Sequence, residues 1–116
     1  IARLGVSFGA KKETFAGLSG LGDLIVTATS EHSRNRRAGV KIGEKLTANE
    51  ALKEVGVTVE GFNATKFVLG LAREKGIEMP ITEELYSILF CEKDPTSAIK
   101  ALMQRLPKDE TEEIWL

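Results

Sequence analysis

The chain holds 116 residues, 42% of them hydrophobic and 28% charged, the composition of an ordinary globular domain with one core. Sixteen Lys and Arg against seventeen Asp and Glu give a formal charge of -1, which excludes a strongly basic nucleic-acid binder or a polyacidic tail as the whole account. One Cys and one His exclude an internal disulfide and make a poor donor set for a metal, no apolar run nears the ~20 residues of a membrane helix and no signal-peptide pattern opens the chain, so a cytoplasmic setting is the default expectation.

In chain order, Ile1 to Val6 open on an apolar-rich stretch with no initiator Met and no polar lead-in. This predicts the end of a helix that begins upstream, so the chain is expected to be a piece of a longer protein; a mature chain trimmed at its terminus is the alternative. Leu18, Leu21, Leu24 and Ile25 recur at three- and four-residue spacing and line one helix face, but Gly17, Gly20 and Gly22 delay helix onset to about Gly22. A helix fits from Ser33, a suitable N-cap, to about Leu46, with Val40, Ile42 and Leu46 on its apolar side. Thr47 and Glu50 have capping-box spacing ahead of a short helix that Gly56 ends.

Val57 to Gly61 reads as extended, too short to found a sheet. Asn63 to Glu74 predicts a helix with Phe67, Val68, Leu71 and Ala72 on one face and Gly76 just past its end. Pro80 separates it from a helix that Thr82 would cap, with Leu85, Ile88 and Leu89 toward the core. Asp94-Pro95 marks one more helix start, with Ile99, Leu102 and Met103 inward. Met79 and Met103 are expected as core fillers and Cys91 as an inert, half-buried thiol. The polar stretch from Pro107 to Glu113 is expected to be a mobile or docking end, and Trp115 a residue that docks on another domain or subunit. The expected class is all-α, with about six or seven helices.

Two places carry candidate chemistry. The first joins Gly17-Leu18-Ser19-Gly20-Leu21-Gly22-Asp23 to Ser33-Arg34-Asn35-Arg36-Arg37; the second is Val59-Glu60-Gly61. If Ser33 caps a helix, the N–H groups of Arg34 and Asn35 lack intrahelical partners and point out of a helix start that favours negative charge. A phosphate suits such a spot, and the Arg34 guanidinium adds a two-pronged donor. Asn35 supplies a neutral amide suited to hydroxyl groups, and Asp23 a carboxylate that accepts from them. The plainer readings stand beside these: a solvated first turn for the arginine motif, and a helix cap for Asp23. Arg34, Arg36 and Arg37 form too local a charge for nucleic acid, with one Trp and one Tyr for stacking. His32, Lys11 and Lys12 read as exposed or structural.

The run Gly17 to Leu24, then Thr27-Ala28-Thr29, then Ser33 to Gly39 closely resembles the bacterial NAD(P)-dependent glycerol-3-phosphate dehydrogenases. The resemblance continues through Val59-Glu60-Gly61 with Thr65, Glu78-Met79-Pro80-Ile81, Leu85-Tyr86 with Leu89-Phe90, and Leu102-Met103 with Arg105. It implies a protein with an N-terminal Rossmann domain, absent here, and an all-helical C-terminal domain, of the 6-phosphogluconate-dehydrogenase-like type, that residues 1–116 represent. It implies a substrate, glycerol 3-phosphate or dihydroxyacetone phosphate, bound at Asp23, Ser33, Arg34 and Asn35. It implies NADP or NAD touching Arg34, Thr58 and Glu60, with Thr58 standing where the family usually has an aliphatic residue. A proton-transferring lysine is implied upstream of Ile1, so no catalytic residue is expected in this chain and the chain alone is expected to be inactive. A homodimer and a role in glycerophospholipid synthesis are implied as well, with no metal, nucleic acid or membrane partner. The other readings are a stand-alone helical dimerisation or anion-binding module, and another two-domain dehydrogenase acting on a hydroxy acid.

Overall fold

The computed structural model describes residues 1–106. Eight α-helices lie in them: α1 (Ala2–Ser7), α2 (Lys12–Ala16), α3 (Asp23–Thr29), α4 (Arg34–Gly43), α5 (Ala48–Val55), α6 (Glu60–Glu74), α7 (Pro80–Phe90) and α8 (Pro95–Met103). A π turn over Leu18–Gly22 leads into α3, and no strand occurs among the described residues. The all-α expectation holds, and α2 is one helix more than the periodicity indicated, because five residues are too few to show a period.

Local chemistry sets several helix ends. The Thr47 hydroxyl accepts from Glu50 N–H at 3.3 Å, and the Glu50 carboxylate accepts from Thr47 N–H at 2.8 Å. This reciprocal pair starts α5, and Gly56 in the left-handed region at φ 71 stops it. Asp94 accepts from Ser97 N–H at 2.8 Å and starts α8 with Pro95 at its first position.

Other ends depart from expectation. α4 stops at Gly43 rather than near Leu46, and Lys45 at φ 72 turns the chain out of it. α6 starts at Glu60, three residues before Asn63, so Glu60 and Gly61 are helical rather than extended. Thr82 lies inside α7, which Pro80 itself begins, since a fixed φ and a missing N–H cost nothing at the first helical position.

Two apolar clusters hold the fold. Leu4, Ala72 and Met79 form one, with Val68, Leu71 and Ile77 packed on it, joining α1 to α6 and the start of α7. Ala38, Val55 and Val59 form the other, with Leu52 and Phe62 against it, joining α4, α5 and the entry to α6. Leu69 is the largest fully buried side chain. Phe67, Leu85, Ile99 and Met103 are exposed instead of inward, and small Ala98 is the residue that α8 buries. α6 buries Thr65, Leu69 and Ala72, and α7 buries no residue. Cys91 is exposed rather than half-buried. Pro107 to Glu113 and Trp115 fall outside the described residues.

Candidate functional site: an anion-suited helix start facing an acidic one

The second cluster fixes two helix starts relative to each other. Ala38 sits one turn into α4 and Val59 immediately before α6, and both are buried in the same cluster. Their neighbours toward solvent are therefore brought together. Arg34, Asn35, Thr58 and Glu60, with His32, line one open cleft of about 320 Å³. Sequence separation hides this grouping, which unites the arginine motif with the Val59-Glu60-Gly61 motif.

Ser33 acts as the N-cap of α4. Its backbone is extended, and its hydroxyl accepts from Arg36 N–H at 3.3 Å. The N–H groups of Arg34 and Asn35 then have no acceptor within the helix, and the exposed Arg34 guanidinium has no carboxylate in ion-pair range among the described residues. The start of α4 thus carries two kinds of anion donor, its free backbone N–H groups and the Arg34 guanidinium.

Asn35 is pinned. Its Oδ1 accepts from Gly61 N–H at 3.1 Å. α6 has Val59 at its N-cap position, which offers no side-chain oxygen, so an α4 side chain supplies the acceptor. That explains why no local cap in the sequence announces the start of α6. Thr65, buried at 6% exposure, donates its hydroxyl to the Gly61 carbonyl at 2.6 Å. Below the cleft, Lys41 of α4 pairs with Glu54 of α5 at 3.1 Å and with Glu44 at 3.5 Å. The hydrogen bond to Glu54 and then the Glu54 charge hold the Lys41 ammonium above its ordinary value.

Asp23 lies elsewhere. It opens α3 and lines a second cleft of about 440 Å³ with Ile1, Phe15, Leu21, Leu24 and Thr27, a mainly apolar setting. No arginine pairs with Asp23 among the described residues. Sequence reasoning missed His32 as a lining residue and Gly61 as a partner of Asn35. The sequence carries no local signal for that partner, because Gly61 reads there as extended and Asn35 is 26 residues away.

The described residues form an all-helical domain in which Arg34, at a helix start, and the Glu60 carboxylate line one cleft. A family model described as the NAD-dependent glycerol-3-phosphate dehydrogenase C-terminus matches residues 1–100, and the chain belongs to that family. It is 53% identical over 116 residues to the glycerol-3-phosphate dehydrogenase (NAD(P)+) of Desulfitobacterium hafniense (strain Y51), covering 100% of this chain and 33% of that protein. The protein of the same description from Thermoanaerobacter sp. (strain X514) is 56% identical over 110 residues, 95% of this chain and 33% of its own. The crystal structure of glycerol-3-phosphate dehydrogenase from Coxiella burnetii superposes with a TM-score of 0.84 at 44% identity, over 89% of this chain and 32% of that one. The chain thus spans about one third of the length of the relatives it matches.

Proposed function

We propose that this chain is the substrate-binding domain of a dehydrogenase that interconverts sn-glycerol 3-phosphate and dihydroxyacetone phosphate with NAD or NADP. The observation that carries the reading is the convergence of the Ser33-capped start of α4, Arg34 and Asn35 with Thr58 and Glu60 in one cleft. The relatives' descriptions supply the reaction.

In this reading Arg34 holds the substrate phosphate by parallel N–H bonds, and the free backbone N–H groups of α4 add to it. Asn35 donates to an oxygen of the bound substrate, and Asp23, on the α3 side, orients a hydroxyl. Glu60 accepts from hydroxyl groups of the cofactor, Thr58 lies alongside, and Arg34 also reaches a cofactor phosphate. The donor set fits a nucleotide: a cation for phosphate and a carboxylate for ribose lie in the same cleft. Arg34, Thr58 and Glu60 would hold the cofactor, which would supply hydride acceptance at C2 of glycerol 3-phosphate or hydride donation to the ketone. The proton of the C2 hydroxyl goes to the lysine that the family resemblance places upstream. The work of this domain is positioning. The full-length protein is proposed to act as a cytoplasmic homodimer.

The test is turnover of glycerol 3-phosphate by the full-length protein with NAD+ and NADP+, beside Arg34→Ala. Removing one partner of a desolvated charge pair costs about 2–5 kcal/mol. At about 1.4 kcal/mol per decade, kcat/KM falls well over tenfold. A loss under threefold overturns the phosphate role. The 116-residue chain alone gives no cofactor-dependent turnover, and measurable turnover from it contradicts a shared site.

A further inference from the structure

The bond between Asn35 and Gly61 does more than start α6. A backbone N–H can only donate, so the Asn35 atom 3.1 Å from Gly61 N is its carbonyl oxygen, and this settles which way the amide faces. The oxygen is engaged by the protein, and the NH2 group is the part of the side chain left for the cleft that Asn35 lines. The carbonyl of Gly61, in the next peptide, accepts from the buried Thr65 hydroxyl at 2.6 Å. A Cβ on residue 61 would stand 2.6 Å from Asn35 Oδ1 and 2.9 Å from its Cγ, closer than side-chain atoms sit. Only glycine leaves the amide in place.

We infer that Gly61 is a positioning residue for ligand recognition: by carrying no side chain and donating its N–H to Asn35 Oδ1, it turns the Asn35 amide so that its NH2 group is presented to the cleft. The inference rests on the proposed function for the ligand's identity, a phosphorylated polyol or ketone whose oxygens accept from Asn35 Nδ2. Its structural half stands apart from that reading. The arrangement ties the start of α4, which carries Arg34, to the start of α6, which carries Glu60.

The experiment is a double-mutant cycle in the full-length protein with Gly61→Ala, Asn35→Ala and the pair, read by kinetics and by thermal unfolding. Acting through Asn35, Gly61→Ala raises KM for glycerol 3-phosphate at least fivefold, and the pair is no worse than Asn35→Ala alone. Independent multiplicative losses, or a KM within twofold of the parent for Gly61→Ala, overturn the inference. The second readout needs no substrate. Alanine is the better helix former, so Gly61→Ala changes Tm more favourably once Asn35 is Ala than when Asn35 is present. Equal Tm shifts in both backgrounds overturn the Asn35–Gly61 coupling itself. A parent protein that turns over no glycerol 3-phosphate but keeps the Tm coupling refutes the proposed function and the recognition half of the inference, and leaves the structural half standing.

Discussion

The Gly-rich segment from Gly17 to Thr29 and the segment from Ser33 to Thr65 carry equally dense sequence motifs, yet the structure builds them differently. α4, α5 and the entry to α6 share a buried cluster, and each of the three starts has a side-chain acceptor, from Ser33, Thr47 or Asn35. The π turn and α3 bury no residue, and Leu18, Leu21, Leu24, Ile25 and Val26 are all exposed. In the segment from Ser33 to Thr65, Gly61 stands where a helix approaches the Asn35 side chain. In the Gly-rich segment, Gly20 lets backbone approach backbone. A dense motif therefore marks a constraint, and only the packing tells whether the constraint is on the chain path or on a ligand.

Substituting glycines breaks or confirms this contrast. A Cβ on Gly20 would fall 2.2 Å from the Phe15 carbonyl oxygen and 2.6 Å from its Cα, and backbone does not swing aside as a side-chain tip does. Gly20→Ala is expected to destabilise the protein by about 3 kcal/mol, the upper part of the usual overpacking cost, in urea unfolding. Gly39 lies within α4, and a Cβ there meets nothing within 4 Å. Gly39→Ala is expected to stabilise by about 0.5–1 kcal/mol, from chain entropy and helix propensity. Equal effects at the two positions would remove the distinction between the regions.

How much of this was legible in the sequence follows from the range of the interactions. Ends set within four residues were readable: the Ser33 cap, the Thr47 and Glu50 pair with Gly56, and Asp94-Pro95. The start of α6 was not, because its acceptor comes from Asn35, 26 residues away. The inward faces of α7 and α8 were misjudged because periodicity reports which side is apolar, not whether a partner covers it; Ile99 and Met103 lie bare while Ala98 makes the contact. At the site, family resemblance named Arg34, Asn35, Thr58 and Glu60, and the structure places them in one cleft while setting Asp23 in another.

The smallest expected effect tests whether the scaffold beneath the cleft is as firmly built as its caps indicate. The Thr47 backbone N–H, and then the Thr47 hydroxyl, hold the Glu50 carboxyl below its ordinary 4.5. A carboxyl lowered on folding contributes stability that is present above the unfolded value and lost as pH falls through the folded one. The opposite sign holds for Lys41, raised by Glu54, whose contribution is present below its ordinary 10.5 and fades as pH rises through the folded value. Glu50→Gln keeps an acceptor for Thr47 but removes the charge. The Tm of the parent should exceed that of Glu50→Gln at pH 7, and the gap should close as pH drops below 4.5. A gap unchanged between pH 7 and pH 3 would mean the Glu50 charge does not fasten α5, leaving its docking on α4 to Lys41 and to the contact of Ala38 with Val55.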